Sequence, residues 1–374
     1  MKIEKIVIND TEYNSGKVLV IAELGTSHGA DPVKAAELIE AAAEAGADCI
    51  KFQIVYASEI LHPNTGEVQL PGGKIRLFQR FKELETEPEF FAKMKEKVEK
   101  KGLIFLCTPF GLKSARILKE LNPKCVKIAS PELNFTALLK EIASYKLPVF
   151  LSTGVSKLGD IEKALSYFPK NLPGGETGIC LLHCVTAYPA APEDYKLRLL
   201  PNLSAIFGVP VGISDHSLDP CLIPALGTAM GAPVIEKHFC LSRNDPGLDD
   251  PIALPPEDFA RMVKAIRRAE KDKPETTIEN LSLQYGSELV EAILGDGVKH
   301  LAPSELNNYE RSNRSLHAVR DIAKGEIINA DMVSSLRTEK NLRPGLPPDW
   351  EERIIGRKAA ASIPAGEGIR FEDI

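Results

Sequence analysis

Short apolar runs alternate with longer amphipathic stretches along the first two thirds of the chain. A buried parallel strand reads as a nearly continuous apolar run, whereas a surface helix carries an apolar stripe that repeats every 3.6 residues. Runs of the first kind predict eight strands, at 18–24, 47–54, 102–107, 126–129, 148–152, 179–183, 209–214 and 233–238. Helical stretches lie between them, and a closing helix is predicted at 257–271.

Eight alternating strand–helix units over about 250 residues predict an α/β fold, a (β/α)8 TIM barrel. The structural alternative is a doubly wound open sheet, whose first strand normally leads into a GxGxxG turn. Here the first strand leads into Glu23-Leu24-Gly25-Thr26-Ser27-His28-Gly29, which does not fit that pattern. The barrel is therefore the favoured prediction.

Two segments depart from the strand–helix rhythm within the barrel domain. Residues 1–17 predict a short hairpin around Asn9-Asp10, and residues 55–85 form a long polar excursion between a strand and a helix. We therefore assign residues 1–271 to the barrel domain.

The remainder of the chain divides into a linker and a small domain. Residues 272–310 predict a linker with one helix near 282–294. Residues 311–374 predict a β-rich domain, because short apolar runs are separated by many turn residues. The phrases Ala323-Lys324-Gly325-Glu326-Ile327-Ile328 and Pro364-Ala365-Gly366-Glu367-Gly368-Ile369 indicate an internal repeat within it.

Composition narrows the class of protein. With 44% hydrophobic and 26% charged residues and a net charge of −6, the chain reads as an ordinary globular protein without a basic surface for nucleic acid or anionic lipid. No apolar run approaches the length of a membrane-spanning helix, and the N-terminus lacks the apolar stretch of a secretory signal. Seven cysteines without a CxxC pair predict free thiols in a reducing compartment, so we expect a cytoplasmic protein.

Two of the predicted strands end in a histidine that follows a carboxylate. The first ends in Ser214-Asp215-His216 and the second in Glu236-Lys237-His238. Two imidazoles at the tips of neighbouring strands could share a divalent cation, with Asp215 or Glu236 orienting them. The alternative is that strand-end histidines only cap loops.

The strand tips are interpreted together, because every strand of a barrel opens with its carboxyl end on the same face. A lysine inside an apolar strand is costly to bury without an anion, which makes Lys51 and Lys127 candidates for binding a phosphate or carboxylate. Glu23 follows an apolar run, where burial raises a carboxyl pKa into a range useful for proton transfer. Structural pairing of these lysines with carboxylates is the alternative. Polar residues at the other tips are Gln53, Thr108, Ser130, Ser152, Thr186, Ser214 and Glu236.

Several phrases resemble one family closely. They are IAELGTSHGA, GADCIKFQ, CTPF, VKIAS, LSTG, LLHCVTAYP, VGISDHSLDP, IEKHF and PGLDD, followed by RSLHAVRDIAKGEII and IGRKAAASIPAGEGI near the C-terminus. In this order they resemble the sialic acid (N-acetylneuraminate) and other nonulosonic acid synthases, with a C-terminal SAF (antifreeze-like) domain. The resemblance implies a TIM barrel that condenses phosphoenolpyruvate with an N-acylated mannosamine-type sugar, using a divalent metal, typically Mn2+, with Mg2+ or Co2+ as alternatives.

The resemblance also implies roles for individual residues. His216 and His238 correspond to the metal ligands, and Glu23 and Glu236 to residues at the reacting centre. Arg314 corresponds to an SAF-domain arginine that reaches the sugar's N-acyl group in the partner subunit of a domain-swapped homodimer. The positions around phosphoenolpyruvate are Lys51, Thr108, Lys127, Ser130, Ser152 and Ser214, and those around the sugar are Gln53, Tyr188 and Asp249, with Thr186 also binding substrate.

The sequence departs from the family pattern at a few positions near the sugar. Ser27 stands at a usual Asn, Thr186 at a usual Asn or Ser, and Lys237 at a usual Arg, and Asp249-Asp250-Pro251 is also unusual. These departures leave the identity of the sugar open. A diamino-trideoxy sugar, an aldose phosphate used by a related condensing enzyme, and a non-catalytic carbohydrate- or ice-binding protein remain the alternatives.

Overall fold

An eight-stranded parallel sheet forms the centre of the fold. The computed structural model describes residues 5–70, 73–169, 171–172, 178–339 and 341–374. The strands of the described chain are β1 Ile6–Ile8, β2 Thr11–Tyr13, β3 Leu19–Gly25, β4 Cys49–Ile54, β5 Glu67–Leu70, β6 Gly73–Arg76, β7 Ile104–Pro109, β8 Val126–Ile128, β9 Val149–Ser152, β10 Ile179–His183, β11 Val211–Asp215, β12 Val234–His238, β13 Arg314–Ala318 and β14 Val333–Arg337.

Helices cover the outer face of this sheet and extend beyond it. They are α1 Pro32–Glu44, α2 Ala57–Ile60, α3 Leu77–Glu83, α4 Pro88–Lys100, α5 Leu112–Glu120, α6 Thr136–Ala143, α7 Leu158–Leu165, α8 Leu199–Phe207, α9 Leu222–Ala229, α10 Pro256–Ala269, α11 Pro274–Tyr285, α12 Ser287–Leu294 and α13 Glu351–Ile354. Short 3-10 turns lie at Pro63–Thr65, Ser130–Glu132, Pro192–Asp194, Asp250–Ile252, Ala330–Met332, Pro348–Trp350 and Phe371–Asp373. None of the described helices has both the length and the apolar character needed to cross a bilayer.

The strand order confirms the predicted barrel. The order is β7-β4-β3-β12-β11-β10-β9-β8, and every neighbouring pair is parallel. The two edge strands, β7 and β8, lie against each other, so the sheet is nearly closed. Side chains that point outward pack under the surrounding helices, for example Val20 and Ile50 with Leu38 of α1 and Phe91 of α4.

The interior of the barrel is apolar near the amino ends of the strands. Ile21, Cys49, Leu106 and Phe150 belong to one buried cluster there. The antiparallel pair β1–β2, which turns at Asn9-Asp10, contributes Ile6, Ile8 and Tyr13 to the same cluster. The hairpin therefore closes the amino-terminal end of the barrel, and the opposite end is left for the site.

Two segments differ from the sequence-based expectation in their local structure. The linker contains two helices, α11 and α12, where one was expected, because Gly286 adopts a φ of 95° and interrupts the helical path. The polar excursion at 55–85 contains α2, α3 and an antiparallel β5–β6 hairpin. Both segments lie beside the carboxyl-terminal end of the barrel, where they help to shape the site.

The C-terminal domain is built around the β13–β14 pair and several isolated bridges. Antiparallel bridges join Ile322 to Ile363, Ile327 to Lys358 and His317 to Gly368, so each phrase of the internal repeat lies beside the segment that precedes the other phrase. Leu316, Ile328 and Ile369 fill the small core between them. In the described chain this domain lies over its own barrel.

Hydrogen bonds join the two domains. The Asn134 side chain pairs with both backbone groups of Arg314, at 3.0 and 2.8 Å. The amide of Asn341 donates to the backbone oxygens of Thr65 and Glu67 in the excursion.

Candidate active site

A polar layer covers the apolar interior at the carboxyl ends of the barrel strands. Successive inward positions on a strand are two residues apart. The inward face of the strands therefore carries Glu23, Lys51 and Glu236, which lie two residues beyond the buried Ile21, Cys49 and Val234. On three further strands the inward face carries Thr108, Lys127 and Ser152, which lie two residues beyond Leu106, Cys125 and Phe150. The strand period thus gathers these polar side chains on one level.

Lys51 lies between two carboxylates in this layer. Its Nζ is 2.7 Å from Oε1 of Glu236 and 3.3 Å from Oε2 of Glu23. Burial lowers the pKa of Lys51, but the two carboxylates raise it by more, so the ammonium remains charged. The pKa of Glu236 is lowered to about 2, because Lys127 and Lys51 outweigh the opposing effect of burial.

Glu23 has a different protonation equilibrium from Glu236. The pKa of Glu23 is raised to about 7, mainly because the side chain is buried. The charge of Lys51 opposes this rise, and the charge of Glu236 adds to it. Gln53 Nε2 donates a 2.5 Å hydrogen bond to Glu23 Oε1 and fixes the direction of the carboxyl group. At neutral pH Glu23 therefore populates both its protonated and its ionised form, as a general acid or base requires.

Lys127 supplies the second buried cation. Its Nζ donates to Ser152 Oγ at 2.6 Å and lies 3.9 Å from Glu236 Oε1. Burial lowers its pKa to about 8. Ser214 donates to Glu236 Oε1 at 2.9 Å, and the backbone N–H of Gly154 donates to Ser130 Oγ at 2.9 Å.

Four buried polar atoms in this layer have no hydrogen-bond partner within the described chain. They are Oε2 of Glu236, Oγ1 of Thr108, Oγ1 of Thr186, and Oε2 of Glu23, which lies 3.3 Å from Lys51 Nζ without the geometry of a hydrogen bond. All four residues line a cavity of about 690 Å3 at the carboxyl end of the barrel. Because buried polar groups in native proteins are almost always paired, these atoms indicate a place for a bound molecule or water.

The two predicted histidine ligands lie next to each other at the cavity wall. Their ring centroids are 5.6 Å apart. The Nδ1–H of His216 donates to the Val185 carbonyl oxygen at 2.8 Å, which leaves Nε2 with a free lone pair. Burial lowers the pKa of His216 to about 4 and that of His238 far below its usual value, so both rings are neutral, the form that binds metals.

These groups fit a divalent cation held partly by the protein. The donor set offers two imidazoles, with the unpartnered Glu236 oxygen and Asp249 Oδ2 nearby, the latter 3.9 Å from His238 Nδ1. Within the described ranges no group of three or more His, Cys, Asp and Glu residues is arranged to hold a metal. A cation at the histidines would therefore keep coordination positions open for water or substrate.

The remaining wall of the cavity is partly aromatic and largely apolar. The ring of Tyr188 stacks on His216 with centroids 4.3 Å apart. Gly25 adopts a φ of 50°, and a Cβ there would lie within 3.4–3.6 Å of Asp249, Glu23 and His238, so glycine keeps this corner open. The excursion contributes the apolar side chains of Val55, Ile60, Val68, Ile75, Leu77 and Phe81.

The structure brings nearly all of the sequence-predicted residues to this cavity. Those that line it are Glu23, Lys51, Gln53, Thr108, Lys127, Ser130, Ser152, Thr186, Tyr188, Ser214, His216, Glu236, His238 and Asp249. Their individual roles stay predictions.

Arg314 is the exception, and its predicted contact with the sugar in a partner subunit stays a prediction. It is fully buried between the two domains and does not line the cavity. Its guanidinium donates to Glu132 Oε1 at 3.1 and 2.8 Å and to the Phe110 carbonyl oxygen at 2.7 Å. These acceptors hold the side chain at the interface between the two domains of the described chain.

Arg337 is the SAF-domain arginine that reaches the cavity. It pairs with Arg314 across the β13–β14 ladder and lines the wall, while its guanidinium donates to the same Glu132 oxygen at 3.1 and 2.7 Å. Sequence reasoning missed both Arg337 and Glu132. The available signal was an arginine at the end of the short stretch Val333-Ser334-Ser335-Leu336-Arg337, but the pairing that brings it to the barrel is not visible in one sequence.

Comparisons with known proteins agree with this fold, a TIM barrel with a buried polar cavity at the carboxyl ends of its strands. Residues 38–276 match the NeuB family, and residues 313–374 match the SAF domain. A pseudaminic acid synthase of Campylobacter jejuni is 32% identical over 96% of each chain. An N,N'-diacetyllegionaminic acid synthase of Campylobacter jejuni is 32% identical over 95% of this chain and 99% of its own.

A solved structure supports the assignment over the whole chain. The spore coat polysaccharide biosynthesis protein SpsE of Bacillus subtilis superposes with a TM-score of 0.81 at 32% identity, over 99% of both chains. The chain belongs to the NeuB family and carries an SAF domain. The expectation that it is an enzyme of the nonulosonic acid synthase class is thereby confirmed.

Proposed function

We propose that the chain condenses phosphoenolpyruvate with an unphosphorylated N-acyl amino sugar to give a 2-keto-3-deoxy nonulosonic acid and phosphate. The observation that carries the proposal is the pair of buried lysines, Lys51 and Lys127, in a cavity with unpartnered hydroxyl and carboxylate oxygens. Phosphoenolpyruvate has a carboxylate and a phosphate, and charge-assisted hydrogen bonds from two ammonium groups suit both. Synthase relatives of similar length support the same reaction class.

The cavity residues account for binding and orientation. Lys51 and Lys127 neutralise the anion, while the hydroxyls of Thr108, Ser130 and Ser152 fix its direction. Gln53 contacts Glu23, Tyr188 stacks on His216 and Asp249 lies near His238, and these three residues would hold the sugar. Holding both substrates in contact removes the entropic cost of bringing them together during the reaction.

The reaction forms one carbon–carbon bond and breaks one carbon–oxygen bond. C3 of the enol attacks the sugar aldehyde carbon, positive charge develops at C2, and water adds there before the C2–O bond to phosphate breaks. Glu23 lies in the buried layer where it can take the proton of that water, and its pKa of about 7 suits the task. A divalent cation at His216 and His238, which we expect to be Mn2+, would polarise the aldehyde oxygen when bound.

The apolar wall favours a diamino-trideoxy sugar over a mannosamine with a free or phosphorylated C6 hydroxyl. Val68, Ile75 and Leu77 offer contacts for a C6 methyl group and an acyl methyl group. A hydroxyl against the same wall would lose its hydrogen bonds to water without gaining others. This observation supports the pseudaminate- or legionaminate-type alternative.

The charges of the cavity argue against a phosphorylated sugar. Besides Lys51 and Lys127, the cations among its described lining residues are Arg80 and Arg337. Arg80 donates to the Pro246 carbonyl oxygen and contacts Glu83, and Arg337 is held by Glu132. Neither is left uncommitted for a second phosphate.

Steady-state phosphate release tests the proposal. The chain is assayed with phosphoenolpyruvate, Mn2+ and N-acetylmannosamine, its 6-phosphate or a 2,4-diacetamido-2,4,6-trideoxyhexose. We expect the highest kcat/KM with the trideoxy sugar and the lowest with the sugar phosphate. Preferred use of the 6-phosphate would contradict the substrate assignment, and release with none of the sugars would contradict the reaction.

The domain-swapped homodimer that the resemblance implies stays a prediction. In the described chain the SAF domain lies on its own barrel and supplies Arg337 to that cavity. Exchange of SAF domains between two subunits would use the same side chains across a subunit interface. In either arrangement the site is completed by residues of both domains.

A further inference from the structure

The loop that follows β9 has an unusual backbone conformation. Val155 has a φ of 39°. Among the described non-glycine residues with positive φ, it alone is β-branched. This conformation is strained for a β-branched side chain and persists only where the surrounding structure imposes it. The side chain of Val155 is fully buried, so the loop cannot relieve the strain by turning towards solvent.

The linker and the first residues of the C-terminal domain supply the groups that hold this loop. Oε1 of Glu305 accepts hydrogen bonds from the backbone N–H of Val155 at 2.7 Å and of Thr186 at 2.8 Å. Asn313 Nδ2 donates to the Val155 carbonyl oxygen at 3.2 Å, and Lys299 Nζ donates to the Thr153 carbonyl oxygen at 3.0 Å. Of these three side chains, Glu305 alone contacts both the loop after β9 and the loop after β10.

Both loops carry groups of the cavity. Ser152, at the start of the first loop, accepts the hydrogen bond of Lys127, and the N–H of Gly154 donates to Ser130. Thr186, in the second loop, directs an unpartnered hydroxyl oxygen into the cavity wall.

The two loops are packed closely together. A Cβ at Gly154 would lie 2.0 Å from Thr186 Oγ1 and 2.8 Å from Cys184 Sγ. The side chains beside Gly154 thus leave no room for a methyl group. A shift of either loop is therefore passed to the other and to the hydroxyl groups beside Lys127.

Glu305 itself does not touch the cavity. It is 1% exposed and absent from the lining, and its Oε2 accepts from the backbone N–H of Ala302 at 3.0 Å within the linker. Its three acceptor contacts are all to backbone N–H groups, which a carboxylate satisfies strongly. Any effect of Glu305 on substrate must therefore act through the loops.

We propose that Glu305 is a positioning residue, which locks the loops after β9 and β10 so that Ser152, Gly154 and Thr186 present a fixed anion-binding surface. The consequence for phosphoenolpyruvate rests on the function proposed above, whereas the locking of the loops does not. The linker, which joins the barrel to the SAF domain, thereby also sets the geometry of the barrel's substrate cavity.

Hydrogen–deuterium exchange of the full chain tests the locking without substrate. Glu305→Ala removes all three acceptor contacts, and we expect at least about tenfold faster exchange at Val155 and Thr186. Glu305→Gln keeps one oxygen for Val155 and Thr186 but turns its NH2 group towards the N–H of Ala302, so exchange at Val155 and Thr186 should rise less than in Glu305→Ala. The shorter Glu305→Asp should exchange like Glu305→Ala. Tyr309→Phe is the matched control, because it removes the 3.0 Å hydrogen bond from the linker to Asp160 of α7 and keeps the aromatic ring against Lys157.

Kinetics then test the consequence. We expect KM for phosphoenolpyruvate to rise at least about tenfold in Glu305→Asp, which corresponds to roughly 1.4 kcal/mol, to rise less in Glu305→Gln, and to stay within about twofold in Tyr309→Phe. Wild-type exchange rates at Val155 and Thr186 in both the Asp and Ala variants would overturn the inference. If the proposed function is wrong, the wild-type chain will not bind phosphoenolpyruvate. The exchange data still decide the role of Glu305 in that case.

Discussion

The ammonium of Lys51 contacts Oε1 of Glu236 at 2.7 Å, and both side chains are about 5% exposed. A buried pair of this kind is stable only while both charges stay compensated. A dianionic substrate that approaches Lys51 must compete with this carboxylate. Lys127 and the surrounding hydroxyls supply the additional positive charge and donors that make such a complex favourable.

Replacing either cavity lysine should weaken binding of phosphoenolpyruvate selectively. For Lys51→Met and Lys127→Met we expect KM for phosphoenolpyruvate to rise about tenfold to a hundredfold, since a charge-assisted hydrogen bond contributes roughly 1.5–3 kcal/mol. KM for the sugar should change far less. Equal effects on both substrates would show that the lysines do not form the anion site.

A double variant separates anion binding from structural pairing. Lys51→Met combined with Glu236→Gln removes both charges of the pair, so the net charge of the buried layer stays the same as in the wild type. We expect calorimetry to show that phosphoenolpyruvate affinity stays low in this variant. Recovery of wild-type affinity would mean that Lys51 only compensates Glu236.

The two histidines should bind the metal together. In His216→Ala and His238→Ala we expect bound Mn2+ per chain, measured by elemental analysis after dialysis, to fall about tenfold or more, because each variant loses one of two imidazole ligands. His300→Ala is the control, since His300 is exposed and outside the cavity. Unchanged Mn2+ content in both ligand variants would refute the assignment.

Mixed variants test the predicted exchange of SAF domains. Glu23→Ala disables the barrel half of a site and Arg337→Ala the SAF half. If the domains are exchanged, co-expression should restore about a quarter of the wild-type activity, because half of the randomly formed dimers contain one intact site of two. Mixed dimers without activity would show that each subunit completes its own site, as in the described chain.

Acid should destabilise the SAF domain through His317. Its Nδ1–H donates to the Gly366 carbonyl oxygen at 2.8 Å, Nε2 lies 2.9 Å from Ser315 Oγ, and burial lowers its pKa to about 4. The unfolded chain, with a pKa near 6.5, binds the proton first as the pH falls. Stability is therefore fully present above pH 6.5 and falls by roughly 3 kcal/mol between pH 6.5 and 4.

Fluorescence of the single tryptophan, Trp350, reports unfolding of this domain directly. Urea midpoints at pH 7.5 and 5 should differ less in His317→Gln than in the wild type. His300→Gln, at an exposed position, should keep the wild-type difference. An unchanged pH dependence in His317→Gln would contradict the assignment.

The barrel and most of its cavity residues could be predicted because they follow from strand periodicity. Lys51 and Lys127 interrupt apolar runs, and His216 and His238 end them, so local pattern alone marks these positions. Once eight parallel strands are inferred, their carboxyl ends must meet on one face. The contact between Lys51 and Glu236 is a direct consequence of that geometry.

The contributions of the linker and the SAF domain could not be predicted in this way. Arg314 and Arg337 are both arginines near apolar strands, and only the docking of β13 and β14 on Glu132 decides which of them faces the cavity. Glu305 lies in a loop-like stretch without periodicity, and its role appears only when the loops after β9 and β10 are in place. The apolar wall likewise depends on how the excursion folds.

Isotope-resolved mass spectrometry of the product tests the central claim most directly. The chain is incubated in 18O-labelled water with phosphoenolpyruvate, Mn2+ and a 2,4-diacetamido-2,4,6-trideoxyhexose, and the sugar product and phosphate are analysed at early times. We predict a nonulosonic acid with the mass of the sugar plus pyruvate, carrying 18O at C2, and phosphate without label. Labelled phosphate, or pyruvate released without any nine-carbon product, would contradict the proposed condensation.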